Sequence, residues 1–411
     1  MDIVFIHGNY PAQFRHLISL LAKDKSHNII FITARQDANN DAIEGLNIKI
    51  FTIHRQANQH THHYLIATEE AVIQGQAIIR ALAELIDSGF NPRLIICHGG
   101  MGLGLFIKDI LPNCLLVGYF EWYFQKETAK YLVDKYDTDV QLRLSMRNMP
   151  ILQELEKCDL AIVPSDWQRS QFPDVYQSKM KVIFDGIDTS FFHTKSDYPN
   201  IKLNDLVISN RDDGTKFLIE SNHKVISYAT RGMEPLRGFP EFMQALPSLL
   251  KIHKDLIVII AGADRRAYSY DAPTHNGSWK EYMLAKLGDF IGRDRIYFTG
   301  LLTYEDYRSL LWRTDLHCYF TRPFVTSWSL FEAASCGATL AVNRCLATDG
   351  IVEPSSVYWV NLNESDELID ELSSALYNPK SSIINKGYDL TSCLVKWQSL
   401  INRSLLGQNQ A

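Results

Sequence analysis

Two arginines, a carboxylate and a histidine stand where strands give way to turns, the places at which a parallel α/β protein does its chemistry. Arg231 and Arg237 lie in Thr230-Arg231-Gly232-Met233-Glu234-Pro235-Leu236-Arg237-Gly238, directly after the apolar run Lys224–Ala229. A guanidinium offers fork-like donors to phosphate oxygens, so two of them can neutralise a diphosphate. The competing reading is surface ion pairing with Glu234. The stretch Phe320–Gly337, FTRPFVTSWSLFEAASCG, reads as the end of a strand, a turn and a helix. Thr326 or Ser327 caps that helix, and Gly337 suits its end. A helix start presents free N–H groups and the positive end of the dipole, so Ser327, Trp328 and Ser329 suit a phosphate. Glu332 lies little more than a turn inside. Helical side chains lean back towards the N-terminus, so its carboxylate can meet a hydroxyl bound beside that phosphate. The plainer alternative is a capping box from Ser329 to Glu332.

The first half offers a second set. Leu94-Ile95-Ile96-Cys97-His98 runs into the glycine-rich turn Gly99-Gly100-Met101-Gly102-Leu103-Gly104. Glycines let a backbone approach a ligand closely, and His98 stands at the strand's carboxyl end. A core histidine bonded to a carbonyl is the alternative. Glu121 precedes Trp122, Tyr123 and Phe124, a pattern that fits either a carbohydrate platform or the edge of the core. Gly8 and Asn9 follow the first strand and form a candidate wall of a site. Neither turn matches the GxGxxG dinucleotide fingerprint, which argues against a nicotinamide or flavin cofactor. His54, His60, His62 and His63 lie in a polar stretch without cysteine or carboxylate at ligand spacing, and read as a solvated loop. Asp137-Thr138-Asp139 has the look of a metal-binding pair but reads as a solvated helix start. No metal site is expected.

Alternating elements must position these residues. Strands are expected at Asp2–Ile6, Asn28–Thr33, Asn47–Ile53, Leu94–Cys97, Leu115–Phe120 and Lys157–Ser165, then at Lys224–Ala229, Leu256–Gly262, Arg295–Gly300 and Asp315–Phe320. Helical stretches separate them, at Ala12–Ala22, Ala67–Ser88 and Tyr304–Arg313 among others. The alternation predicts parallel sheets with helices on both faces. Polar residues 194–214 mark a linker, so one domain is expected over 1–200 and another over 215–387, with a terminal helix over 388–411. A chain of 411 residues with 46% hydrophobic content fits a soluble two-domain protein. A net charge of −6 argues against a nucleic-acid partner. Seven scattered cysteines, with no CxxC and no signal peptide ahead of the first strand, point to the reducing cytoplasm.

Taken in order, AIVPSDWQRSQFP, VIFDGIDTSFF, YATRGMEPLRGF, VIIAGAD, RIYFTGLLTYEDYRSLLWRTDLHCYF and SWSLFEAASCG resemble the family 4 glycosyltransferases of GT-B fold. The resemblance implies two Rossmann-like domains facing across a cleft, with the donor on the second, most of the acceptor on the first, and the last helix crossing back. By position, Arg231 and Arg237 match the basic pair on the donor diphosphate, the second being lysine in many members. Glu332 matches the second glutamate of an E-x7-E motif and would bind ribose hydroxyls. Thr299, Gly300 and Leu301 match the loop near the base, and His98 a histidine near the transferred sugar. Gly8 and Asn9 join the donor set, while Gly99, Gly100, Glu121 and Trp122 join His98 on the acceptor side. The chain departs from the family at Phe324, where the motif has its first glutamate. The implied activity is retaining, metal-independent hexosyl transfer from a UDP- or GDP-sugar to a sugar, lipid-linked or other hydroxyl acceptor. The nucleotide sugar serves as co-substrate and no further cofactor is implied. Peripheral membrane contact is compatible with such acceptors. A non-catalytic GT-B subunit and a sugar-nucleotide epimerase are the alternatives.

Overall fold

The computed structural model describes residues 1–195, 206–209, 214, 216–220 and 222–408. They form two compact units. The first comprises Met1–Ala129, Tyr136–Gly186 and Asp389–Ala411; the second comprises Lys130–Lys135 and Ile187–Tyr388. The linker expected over 194–214, and with it the expected domain edges at 200 and 215, falls largely outside the described residues, as do 409–411 of the terminal helix.

The first unit is built on seven strands among the described residues: β1 (Asp2–Ile6), β2 (Asn28–Thr33), β3 (Leu46–Ile50), β4 (Pro92–His98), β5 (Leu115–Tyr119), β6 (Leu160–Val163) and β7 (Met180–Val182). All neighbours run parallel, in the order β3-β2-β1-β4-β5-β6-β7. Val4, Ile6, Ile95 and Cys97 belong to one core, and Ile3, Phe5, Leu94 and Ile96 to another. Alternate side chains of a strand point to opposite faces, so both faces of this sheet are covered. That is why its strands read as unbroken apolar runs. The terminal helix Leu390–Gln408 puts Trp397 and Ile401 into the same core as Ile3 and Phe5.

The second unit holds an antiparallel pair, β8 (Leu206–Ser209) and β9 (Lys216–Ile219), and a parallel sheet. The sheet's strands are β10 (Lys224–Gly232), β11 (Leu256–Ala263), β12 (Ile296–Gly300), β13 (Leu316–Tyr319), β14 (Leu340–Asn343) and β15 (Tyr358–Val360), in the order β12-β11-β10-β13-β14-β15. Here too the side chains alternate between cores, with Ile226, Tyr228, Val258 and Ile260 on one face and Val225, Ile257 and Ile259 on the other.

Each parallel sheet reverses its direction of winding once. The connections after β1 and β4 diverge to opposite sides, and so do those after β10 and β13. Such a switch point opens a crevice beyond the carboxyl ends of its two strands. Gly8 and Asn9 follow β1, His98 ends β4, Arg231 lies at the end of β10 with Arg237 just after it, and Ser327 follows β13 at these points, whereas Glu121 follows β5 and Thr299 lies at the end of β12.

Several edges differ from expectation. β3 stops at Ile50, and the first helix is a short 3-10 turn, Ala12–Phe14, followed by Arg15–Leu21. Lys157 ends a helix, so β6 begins only at Leu160. β14 and β15 are too short to show a period in the sequence and were not anticipated. All seven cysteines are free, and six are buried. Among the described residues, no helix is long and apolar enough to cross a membrane.

Trp397 is buried against the first sheet, whereas Val395 on the same helix is mostly exposed. Replacing Trp397 with Ala is expected to cost about 3–5 kcal/mol in equilibrium denaturant unfolding. Val395→Ala should stay within about 0.5 kcal/mol of the parent.

Candidate active site

The turn that leaves β10 carries both arginines. Arg231 is exposed, and its Nη1 donates to the Tyr268 hydroxyl at 3.2 Å. Arg237 is buried; its Nη1 donates to Thr321 Oγ1 at 2.8 Å and its Nη2 to the Val325 carbonyl at 3.2 Å. The loops on the two sides of the switch point are thus tied together by a guanidinium. Among the described residues neither arginine forms an ion pair with a carboxylate. Glu234, the expected pairing partner, is fully buried, and its Oε2 accepts instead from the amides of Ala267 (2.9 Å), Tyr268 (3.0 Å) and Ser269 (2.9 Å).

The turn after β13 leads into the helix Trp328–Ser335. Ser327 caps it, its Oγ accepting from the Ser329 amide at 3.4 Å, and Gly337 follows its end at φ 68°. No capping box forms, because Glu332 does not reach back to Ser329. Two of the amides expected to face a phosphate are engaged: that of Ser329 by the Ser327 hydroxyl, and that of Ser327 by the Tyr319 hydroxyl at 3.1 Å. Glu332 is 7% exposed, and its carboxylate accepts no hydrogen bond from the described residues. Burial pushes this carboxyl up to about 8. Phe324, in place of a carboxylate, is buried with its ring 5.4 Å from that of Tyr268.

Beside these loops lies a cavity of about 490 Å³ lined by Met233, Gly262, Asp264, Arg265, Lys280 and Gly300, among others. Gly262 has φ 141°, and a Cβ there would collide with the Thr230 carbonyl. The close approach of β10 and β11 at the cavity wall therefore requires glycine. Lys280 is buried with its ammonium 4.5 Å from the Phe298 ring centroid. Of the three residues expected near a base, Gly300 lines this cavity, Thr299 is nearly buried behind it, and Leu301 is 66% exposed.

In the first unit, β1, β4 and β5 bring together four polar side chains. His98 Nε2 lies 3.2 Å from Glu121 Oε2, and Gln13 Nε2 donates to Glu121 Oε1 at 2.8 Å. Burial pushes the Glu121 carboxyl up, but the bond and charge of His98, the Gln13 amide and His7 outweigh it and hold it below the ordinary value. The His7 ring lies 4.4 Å from that of His98, and its Nδ1 accepts from the Asn9 amide at 2.8 Å. Burial, then the adjacent His98, pushes His7 down to about 3, so it is neutral at physiological pH. His98 Nδ1 is buried without a partner. Gly8 is tied down through its carbonyl, which accepts from the Ala34 amide and the Thr33 hydroxyl.

The glycine-rich turn after β4 is already filled. Glu154, on the helix Met149–Lys157, accepts from the amides of Gly100 and Gly104, the latter at 2.7 Å. The Gly99 amide bonds the Tyr119 carbonyl at 2.7 Å. The amides of Gly99 and Gly100 therefore serve the fold. Burial raises the Glu154 carboxyl to about 7, with the amide bonds acting against it. Trp122 is 7% exposed and packs near Trp167, at 6.0 Å between centroids. It belongs to the core edge and not to an open platform. The four histidines from His54 to His63 are all exposed, and no group of metal ligands occurs among the described residues. Asp137 caps the helix Thr138–Arg147, and Asp139 accepts from the Tyr64 hydroxyl at 2.8 Å, as a solvated helix start should.

His7, Gln13, Glu154, Tyr268, Asp264 and Lys280 were not singled out in the sequence. His7 could have been found, because it directly follows β1 at the switch point. The others are brought in by long-range contacts that leave no local signal.

The description "Glycosyl transferase family 4 group" is that of the family model matched by residues 25–192. That match takes in part of the first unit, and the fold of the whole chain is that of the GT-B structures. Sucrose-phosphate synthase from Thermosynechococcus elongatus superposes with a TM-score of 0.65 at 12% identity, covering 99% of this chain and 100% of that one. An E. coli structure described as trehalose-6-phosphate bound with UDP-2-fluoro glucose gives 0.60 at 13%, over 98% and 99%. WaaG, a glycosyltransferase involved in lipopolysaccharide biosynthesis, gives 0.57 at 12%, over 96% and 93%. At such identities the likeness is one of fold. No curated protein matches the sequence.

The Glu332 carboxyl sits at about 8 in the folded GT-B chain, against an ordinary value of 4.5. The folded state keeps a proton that the unfolded state releases between those pH values, so stability falls as pH rises through that window. Glu332→Gln should flatten this fall. Melting temperatures at pH 5 and pH 8.5 test it: the drop between them is expected to be smaller in the variant than in the parent.

Proposed function

We propose that this chain is a retaining, metal-independent glycosyltransferase that moves a hexosyl group from a UDP- or GDP-sugar to a hydroxyl acceptor in the synthesis of a polysaccharide, glycolipid or other glycoconjugate. The observation that carries the reading is the pair Arg231 and Arg237. Two guanidinium groups leave one switch-point loop with no carboxylate counter-ion among the described residues. A structure stabilises such a pair when an anion completes it, and a diphosphate has the charge and oxygen geometry to do so. Glu332 supports the same reading. A buried carboxylate without a hydrogen bond is costly, and ribose hydroxyls would satisfy it. The cavity that includes Gly300 and Asp264 is the place for the base. Among the fold relatives, the E. coli structure is described with a UDP sugar bound.

In the transfer, the bond from sugar C1 to the phosphate oxygen breaks and its electron pair stays on that oxygen. The acceptor oxygen bonds to C1 and passes its proton to the departing phosphate. The products are the glycoside and a nucleoside diphosphate, and no enzyme nucleophile takes part. The guanidinium groups stabilise charge as it grows on the phosphate, which is positioning and electrostatic catalysis. They take the role of a divalent cation, and the acidic pair Asp137 and Asp139 is spent on a helix cap and on Tyr64. The first unit supplies the acceptor-side group, His98 held by Glu121. The reducing cytoplasm suits seven free thiols and a nucleotide-sugar donor. Phe324 favours a second reading, a GT-B subunit that binds a nucleotide sugar without turning it over. Nucleotide-sugar hydrolysis by the purified chain would decide for the enzyme.

Arg231→Ala should leave the melting temperature near the parent's and lower transfer by about 2–3 kcal/mol of transition-state stabilisation, roughly 30- to 150-fold. Arg237→Ala should lower transfer as much and also destabilise the fold, because this arginine bonds Thr321 and Val325. Near-parent turnover in both variants would reject the assignment. Activity should persist in excess EDTA. Complete loss restored by magnesium or manganese would overturn metal independence.

A further inference from the structure

Tyr268 stands between the two arginines, in the loop that follows β11. Its backbone is fixed from below. The amides of Ala267, Tyr268 and Ser269 converge on one oxygen of Glu234, which also accepts from the Ser269 hydroxyl at 3.1 Å. Glu234 lies in the turn that carries Arg231 and Arg237, so one turn sets both the cations and the tyrosine. The Arg237 guanidinium carbon is 5.8 Å from the Tyr268 ring centroid, and Phe324 packs on the ring at 5.4 Å. The Tyr268 oxygen is 3.2 Å from Arg231 Nη1.

The chemistry of that last bond sets its direction. A guanidinium has donors only, so the phenol oxygen accepts. The phenolic hydrogen is left over, and it has no acceptor among the described residues. Tyr268 is 41% exposed, so its polar end is open to a ligand. We propose that Tyr268 is a third donor to the nucleoside diphosphate: it accepts from Arg231 and donates a hydrogen bond from its hydroxyl to an oxygen of the terminal phosphate held by Arg231 and Arg237. The inference rests on the diphosphate reading of that pair. It adds a neutral donor where two cations already act, so it strengthens the grip without raising the charge. A phenol bonded to a cation is also a better donor than a free one, because hydrogen bonds in a chain polarise one another.

Calorimetry with UDP, GDP and ADP, and with the matching monophosphates, tests this on the parent, Tyr268→Phe, Arg231→Ala and the double variant. Tyr268→Phe keeps the ring and its contacts, and its melting temperature should equal the parent's. The expected result is an affinity for the diphosphate about tenfold weaker in Tyr268→Phe, with monophosphate affinity unchanged. The same loss should persist when Arg231 is already Ala. Equal diphosphate affinity in parent and Tyr268→Phe would overturn the inference, and so would an equal loss with the monophosphate. A loss that disappears in the Arg231→Ala background would make the hydroxyl a mere support for Arg231, which also overturns it. If none of the three diphosphates binds the parent, the reading of the arginine pair fails first, an outcome distinct from the others.

Discussion

The buried carboxylate of Glu234 is the constraint on which the loops after β10 and β11 depend. A carboxyl group taken wholly out of water is costly to bury without hydrogen bonds. Here one oxygen receives three consecutive amides and a hydroxyl. Those donors come from the loop after β11, while the acceptor comes from the loop after β10. The bond set therefore ties two neighbouring loops together and, among the described residues, leaves Arg231 and Arg237 without a carboxylate partner. Had Glu234 paired with either arginine, the positive charge at the switch point would have been cancelled within the chain.

Buried carboxylates elsewhere divide by the same criterion. Glu154 is answered by glycine amides, and its task is to close the turn after β4. Glu121 is answered by Gln13 and His98, and it fixes the orientation of that histidine. Glu332 accepts no hydrogen bond among the described residues, and burial drives its carboxyl towards the neutral form. Glu332 and the two arginines are carried by the elements that follow β13 and β10.

Phe324 gives the site its individual character. Where related motifs carry a carboxylate, this chain has an aromatic ring buried against Tyr268. The apolar contact holds Tyr268 in place from the side, as Glu234 holds it from beneath. The turn after β13 is set by the same economy of donors. Tyr319 and Ser327 use their hydroxyls on the amides of the helix start, so the polar groups left to face a ligand come from the arginines, Tyr268 and Glu332.

The sequence by itself determined the layered architecture, because strands buried on both faces must be continuous apolar runs separated by helices. It also determined which residues stand at strand ends: Arg231, Arg237 and His98 lie where an apolar run stops, and Ser327 where a helix begins. These are local facts, written in periods of two and 3.6 and in turn chemistry. Tertiary structure alone decided what each polar group touches. Glycines 100 and 104 look open to a ligand in sequence, yet Glu154, some 50 residues on, fills them. Trp122 reads as either a platform or a core edge until Trp167 is seen to pack beside it. Tyr268 is inconspicuous until Glu234 draws its loop towards the arginines. The physical reason is that hydrogen-bond satisfaction is settled by contacts between residues far apart in the chain, and no local pattern of residue types records which donor reaches which acceptor first.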